Sequence, residues 1–356
     1  MFKNNSLLSH FRDAKVLITG DTGFKGSWLS FALANAGAKI WGYSLPSDVN
    51  SHYRYLELET LINHIDGDIR DFIKLSKLIA DIKPEFIFHL AAQALVGQSY
   101  KNPLETYSTN IMGSANLLEA IRSCDSVRSV IYVTSDKCYQ NNEWVWGYRE
   151  SDILGGDDPY SSSKACAELI FSSFSKSYFD YNKSIGLASV RAGNVIGGGD
   201  WSMGRIVPDC IGAIHGDTPI KLRSPKATRP WQHVLEPLSG YMLLAKKINE
   251  SGKLFSGSWN FGPNKSENRN VLDVAKEIVK VMGSGSIEIL GDQSMQIHEA
   301  NLLQLNCDKA NTLIGWNSKW SFEETIKITA GWYKAFYKGR PPREITKNNL
   351  EKYFCV

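Results

Sequence analysis

Tyr160 and Lys164 stand four residues apart in Tyr160-Ser161-Ser162-Ser163-Lys164. That spacing puts both side chains on one face of a helix. A free phenol ionises at a pKa of about 10 and is a poor base at neutral pH. A neighbouring ammonium favours the phenolate. The pattern alone is weak, because chance gives roughly one such pair in a chain with this many tyrosines at average lysine usage. Its placement gives it weight. A strand-like run, Val130 to Thr134, ends at Ser135, and Asp158-Pro159 opens the helical run that begins at Tyr160. Ligands of open α/β sheets bind at strand carboxyl ends. There Ser135, Tyr160 and Lys164 can remove the proton of an alcohol while hydride leaves its carbon. Asp136 and Lys137 follow Ser135 at once. Alcohol oxidation needs neither, so an acid and a second proton carrier point to proton movement at a second carbon. The alternative for this pair is a salt bridge at a strand end.

The second constellation is Gly20-Asp21-Thr22-Gly23-Phe24-Lys25-Gly26, directly after the apolar run Val16 to Thr19 and opening the run Ser27 to Ala36. Glycines between a first strand and a first helix allow a tight turn and a close approach of backbone N–H groups to a pyrophosphate. This predicts dinucleotide binding through Gly20, Thr22, Gly23, Phe24, Lys25 and Gly26. The acid that usually binds ribose at the end of the second strand is missing from Trp41-Gly42-Tyr43-Ser44-Leu45-Pro46. The choice between NAD and NADP is therefore weakly written. In Gly67-Asp68-Ile69, Asp68 either meets the adenine amino group or caps the next helix.

Short apolar runs alternate with amphipathic ones through the first half of the chain. Strands are expected at Val16–Thr19, Lys39–Ser44, His64–Asp68, Phe86–Leu90, Val130–Thr134, Ile185–Val190 and Gly257–Phe261. Helices are expected at Ser27–Ala36, Arg54–Asn63, Phe72–Ile82, Leu104–Arg122, Tyr160–Tyr178, Leu235–Ile248, Val271–Met282 and Phe322–Tyr337. The alternation implies an α/β fold, a doubly wound parallel sheet of Rossmann type with a smaller C-terminal α+β cap. Residues 1–191 with a return segment near 231–261 would form the dinucleotide domain, and 192–230 with 262–356 the cap. The chain of 356 residues is 43% hydrophobic and 22% charged, with a net charge of +3. That balance argues against a nucleic-acid or membrane-surface protein. Six cysteines without a CxxC pair or a metal-ligand spacing read as reduced thiols of a cytoplasmic protein, with no metal expected. Met1 to Lys15 lacks an apolar signal core, and no apolar run is long enough to cross a bilayer.

The chain resembles the extended short-chain dehydrogenase/reductase family, and within it the CDP-glucose 4,6-dehydratases. The resemblance is carried by Thr22-Gly23-Phe24-Lys25-Gly26, His89-Leu90-Ala91-Ala92-Gln93, Glu105-Thr106-Tyr107-Ser108-Thr109-Asn110, Thr134 to Tyr139, Trp144 to Glu150, Asp158 to Ser161, Arg191 to Trp201, Arg229 to Val234, and Trp259 to Pro263. It implies that NAD is the cofactor and CDP-glucose the substrate. Ser135, Asp136, Lys137, Tyr160 and Lys164 would be catalytic. Ile69, Leu90, Ala91, Ala92, Gln93 and Thr109 would join the glycine loop around the cofactor. The implied reaction oxidises carbon 4 of the hexose, expels water from carbons 5 and 6 with Asp136 as general acid, and returns hydride to carbon 6. Lys137 stands where related dehydratases carry Glu. It would act as a neutral base at carbon 5, or orient Asp136 and stabilise the enolate.

Asn194, Arg205, Arg229 and His233 match positions that hold the sugar-nucleotide diphosphate in relatives. Arg suits that role because its planar fork matches phosphate oxygens. Trp201 would wall the pocket and Arg223 would help with the nucleotide. The chain departs from the family at Asp21, where relatives often carry His, and at Gly97, where they usually carry Arg. The helical runs Leu104–Arg122 and Tyr160–Tyr178 match those that build a homodimer through a four-helix bundle, or a dimer of dimers. Two other functions compete: an epimerase or decarboxylating enzyme of the same fold, and a non-catalytic NAD-binding regulator.

Overall fold

The computed structural model describes residues 5–180, 185–264, 268–290 and 302–355. Seven parallel strands form the central sheet: β1 Lys15–Thr19, β2 Lys39–Ser44, β3 Asn63–Asp66, β4 Phe86–His89, β5 Ser129–Val133, β6 Gly186–Ala192 and β7 Gly257–Phe261, in the order β7-β6-β5-β4-β1-β2-β3. The strand order changes direction between β1 and β4, the place where the crevice that takes ligands lies in open α/β sheets. The Rossmann-type architecture expected from the alternation is present.

Side-chain alternation explains why the strands read as unbroken apolar runs. Val16 and Ile18 enter one buried cluster with α1 (Phe24–Ala36), whereas Leu17 enters another with α2 (Phe72–Ile82). Further elements are α3 (Pro103–Tyr107), α4 (Ser114–Ile121), α5 (Pro159–Phe174), α6 (Ile206–His215) and α7 (Leu235–Ser251). Helices α2, α4 and α5 cover one sheet face, and α1 and α7 the other. The helix α1 stops at Gly37, which has φ +92°. Asp71 caps α2 by accepting from the Lys74 N–H at 3.0 Å.

Phe72–Ile82 and Gly257–Phe261 form as expected. Arg54–Asn63 does not make one helix. It divides into a turn at His52–Tyr55, a 3₁₀ turn at Leu58–Thr60 and the first residue of β3, with Glu57 between them at φ +49°. The expected helix Leu104–Arg122 is α3 and α4 joined through a π-helical stretch, Ser108–Gly113.

After β6 the two later segments pair with each other. Thr228–Arg229 pairs with Arg269–Asn270, and Ile220–Leu222 with Ile287–Ile289. Helices α8 (Val271–Met282), α9 (Asp308–Ile314), α10 (Phe322–Tyr337) and α11 (Pro342–Phe354) complete the described chain. The last one returns to the sheet side. Arg343 donates to the Leu56 carbonyl at 2.7 and 2.9 Å, and Tyr353 to Glu236 at 2.7 Å.

Candidate active site at the carboxyl edge of the sheet

The glycine loop leaves β1 with Gly20 at φ +77°. A Cβ there would lie 2.7 Å from the Ala91 nitrogen, and one at Gly26 would lie 2.0 Å from the Gly20 carbonyl oxygen. The loop after β1 therefore presses on the loop after β4. Gly23 precedes α1 and supplies no side-chain cap. The first-turn N–H groups of α1 therefore have no side-chain acceptor, which suits a pyrophosphate. The residues fit a dinucleotide.

Asn110 fixes the opposite wall. It accepts from the Gln93 N–H at 2.8 Å and donates to the Gln93 carbonyl at 3.0 Å and to Ser163 Oγ at 2.8 Å. Gln93 Nε2 also donates to Thr106 at 2.9 Å. One amide thus ties the loop carrying Leu90, Ala91, Ala92 and Gln93 to the first turn of α5. Thr109 lies beside Asn110 in the π-helical stretch.

That first turn carries the tyrosine. Pro159 occupies the opening position of α5, and Asp158 accepts from the N–H groups of Tyr160 and Ser161 at 2.9 and 3.0 Å. Tyr160 and Lys164 are both buried, with the Lys164 nitrogen 6.0 Å from the Tyr160 ring centre. Burial raises the Tyr160 phenol to about 12, against a downward pull from the facing Ser135 hydroxyl. Burial lowers the Lys164 ammonium to about 8, while Glu168 favours its charge.

Ser135 ends the β5 strand run and caps the tight turn Asp136–Cys138, accepting from the Lys137 N–H at 3.2 Å. Its hydroxyl donates to Asp136 Oδ1 at 3.0 Å. The second oxygen of Asp136, Oδ2, is buried without a hydrogen-bond partner. Burial raises the Asp136 carboxyl above the usual range, opposed by Lys137, the Ser135 hydroxyl, Arg229 and Lys25. Among the described residues Asp136 and Lys137 make no salt bridge, although the charge of Lys137 is the largest influence opposing burial at the Asp136 carboxyl. Ser135, Asp136, Lys137, Tyr160 and Lys164 are brought together.

Beneath them lies a buried ion pair. Arg191 donates to Glu168 from Nε at 2.9 Å and from a terminal nitrogen at 2.7 Å, and Thr134 donates to Glu168 at 2.5 Å. Arg191 also donates to the Tyr139 hydroxyl at 2.7 Å, which donates to Asn260 at 2.8 Å. Sequence reasoning did not single out Glu168, although it continues the helical face of Tyr160 and Lys164. It also placed Lys25 only beside the cofactor. Lys25 is partly buried, and burial lowers its ammonium to about 8, with Asp136, Arg205 and Lys164 acting on it.

The expected substrate residues divide. Arg205 acts on Tyr160 and Lys25 and donates to Asp200 at 2.9 Å. Arg229 is buried and acts on Asp136. Asn194 is half-buried and Arg223 exposed. His233 is not brought to the site surface. It is fully buried between Trp28 and Trp320, ring centres 5.7 and 4.8 Å away, and accepts from the Leu235 N–H. Trp201 packs on Tyr333 and Phe336 of α10. The carboxylate of Asp68 is held by Arg70 at 2.5–2.9 Å, and Asp71 rather than Asp68 caps α2. Ile69 is buried under Gly113. Among the described residues no cluster could hold a metal ion, and no helix is long and apolar enough to cross a membrane.

Residues 17–329 match the family model described as GDP-mannose 4,6 dehydratase. The chain is 46% identical over 96% of its length, and 96% of the relative's, to the CDP-glucose 4,6-dehydratase of Salmonella typhimurium. It is 24% identical, over 91% of its length and 97% of the relative's, to the UDP-glucose 4-epimerase of Mycoplasma genitalium. Among solved structures, a dTDP-glucose 4,6-dehydratase from Bacillus anthracis in complex with NAD aligns with TM-score 0.77 at 20% identity, over 93% of this chain and 99% of that one. With most of its length matched and nearly half its residues shared with one such relative, the chain belongs to the GDP-mannose 4,6 dehydratase family.

Proposed function

We propose that this chain is an NAD-dependent hydro-lyase that converts CDP-glucose to CDP-4-keto-6-deoxyglucose. The carrying observation is the turn Asp136–Cys138. It sets a buried carboxyl with one unpartnered oxygen beside Ser135, Tyr160 and Lys164. A 4-epimerase needs only the latter three. The extra acid favours elimination over epimerisation. The intact triad disfavours a non-catalytic regulator, which has no chemical need of it. The 46% identity to the Salmonella typhimurium CDP-glucose 4,6-dehydratase supports the choice of CDP-glucose.

Gly20, Thr22, Gly23, Phe24 and Gly26 would hold the pyrophosphate side of NAD, and Tyr160 and Lys164 its nicotinamide end. Bound NAD supplies a hydride acceptor for carbon 4 and a hydride donor for carbon 6, with no net redox change. Tyr160 takes the carbon 4 hydroxyl proton, and Ser135 holds the same oxygen by a hydrogen bond. Lys164 favours the phenolate that Tyr160 must become. A ketone at carbon 4 acidifies the proton on carbon 5. Asp136, whose carboxyl burial pushes above its ordinary range, gives its proton to the carbon 6 hydroxyl, which leaves as water. Lys137 receives the carbon 5 proton when neutral, or holds the enolate oxygen by charge. Arg205 and Arg229 bind the diphosphate, with Asn194 and Arg223 along the nucleotide.

The domain division that accompanies this mechanism is 1–191 with 231–261 for the cofactor, and 192–230 with 262–356 for the sugar nucleotide. A homodimer through the α3–α4 and α5 helices, in the cytoplasm, completes the proposal. The test is incubation with CDP-, dTDP-, UDP- and GDP-linked hexoses. A keto product lighter by one water from CDP-glucose is expected. CDP-glucose recovered unchanged would overturn the proposal.

A further inference from the structure

The second strand ends without the acid that ordinarily meets the adenosine ribose. A carboxylate is nevertheless present one layer behind it. Asp21, inside the glycine loop, is fully buried. Its Oδ2 lies 2.7 Å from His64 Nδ1 on β3, and its Oδ1 accepts from Ser44 Oγ at 3.0 Å. Space for it exists only because β2 carries Gly42 there, where a Cβ would sit 2.1 Å from Oδ2. His64 is held by Asp21, and also by Asp66 at 3.1 Å, and these hydrogen bonds raise its pKa.

The hydroxyls in front of Asp21 form an ordered chain. The Ser44 hydroxyl has two acceptors, Asp21 Oδ1 at 3.0 Å and the Leu45 carbonyl oxygen at 3.2 Å, and the carboxylate is the nearer and the stronger. Thr22 Oγ1 lies 2.8 Å from Ser44 Oγ and 3.1 Å from the Leu45 carbonyl oxygen. Both are acceptors once Ser44 has turned its proton inward, so the Thr22 proton also points inward. What Thr22 offers to the crevice is a lone pair. A ribose 2′-hydroxyl can donate to it, whereas a 2′-phosphate has only acceptor oxygens and negative charge.

Beyond the end of β2 lies a hollow of about 380 Å³ lined in part by Arg54, Glu59, His64 and Asp66. Its two basic side chains both face carboxylates, Arg54 beside Glu59 at 3.4 Å and His64 beside Asp21 and Asp66. Arg54 is the lining residue that carries a fixed positive charge, and Glu59 already faces it.

We infer that Asp21, acting through Ser44 and Thr22, replaces the missing second-strand acid as the device by which this chain takes NAD and rejects NADP. The inference rests on the NAD-dependent reading above and names the residues that choose between the two dinucleotides. Thr22 is the contact residue, and Asp21 and Ser44 are positioning residues.

The test is equilibrium binding of NAD and NADP, followed by calorimetry, to the full chain freed of resident cofactor. Wild type binds NAD more tightly than NADP. Thr22→Val keeps shape and leaves the Asp21–His64 pair intact. It should weaken NAD about fivefold, the loss of one ordinary hydrogen bond, and leave NADP unchanged. Asp21→Asn removes the charge and should narrow the NAD-to-NADP preference by about tenfold through tighter NADP binding. If Asp21→Asn fails to fold, the Thr22→Val result decides alone. Thr22→Val binding NAD as wild type does, or wild type binding both dinucleotides equally, overturns the inference and leaves the dehydratase proposal standing. Binding of neither dinucleotide by wild type overturns both.

Discussion

The Ser135 hydroxyl donates to Asp136 Oδ1 at 3.0 Å, while Asp136 Oδ2 stays buried and unpartnered. The residue proposed to hold the carbon 4 oxygen therefore steers the carboxyl proposed to expel water. Its other oxygen lies against Gly193, where a Cβ would come within 3.0 Å of it.

Asp136→Asn should separate the half-reactions. Substrate-dependent reduction of the nicotinamide persists, seen as near-ultraviolet absorbance, while release of the keto-deoxy sugar falls roughly 10²–10⁴-fold. Equal loss of both would deny Asp136 the role of acid.

Lys137→Ala should likewise keep oxidation at carbon 4 but abolish solvent deuterium uptake at carbon 5. Full turnover in this variant would falsify both roles given to Lys137.

Lys164 trades stability for chemistry. Its folded pKa of about 8 lies below the ordinary 10.5. Between those values the unfolded chain binds more protons, so this group makes the fold gain stability as pH rises from about 8 to about 10.5. Below that window the penalty for burying the charge is present in full, on the order of 3 kcal/mol. Lys164→Met should therefore raise the thermal midpoint of the cofactor-free protein at neutral pH while ending turnover. An unchanged or lower midpoint would show that the buried ammonium carries no such penalty.

Glu168→Ala leaves Arg191 charged, buried and unpaired, and should cost roughly 3–5 kcal/mol in urea unfolding. A cost within that of an ordinary surface substitution would mean that water reaches Arg191.

Leu104, Met112 and Leu169 expose large apolar side chains at 82%, 57% and 59%, on α3, the π-helical stretch and α5. Leu169→Glu should convert a sedimenting dimer into single chains. A wild-type protein that already sediments as one chain would remove the dimer.

Local patterns were legible in the sequence because neighbours in the chain make them. The turn from Val16–Thr19 into the glycine loop, and the Asp158-Pro159 entry to Tyr160, need only adjacent residues. The pairing of Asp21 with His64 was not legible, because parallel strands bring together residues 43 positions apart without a local signature. His233 misled for the same reason. A histidine next to an Arg-Pro-Trp stretch looks like a ligand, but its neighbours Trp28 and Trp320 come from remote segments and bury it. Arg54–Asn63 has helical composition, yet Glu57 breaks the winding with a left-handed residue. Lys25 carried no sequence sign that it would act on Asp136, since that depends on how α1 meets the turn after β5.

The widened turn at Ser108–Gly113 also restricts how this stretch can change length over evolutionary time. A π-helical turn holds one residue more than regular winding allows. Losing that residue would rotate the preceding segment, with Thr106, by about 100° relative to α4. Asn110 would swing away from Gln93 and Ser163. Codon loss here should be far less tolerated than at exposed loops of similar sequence.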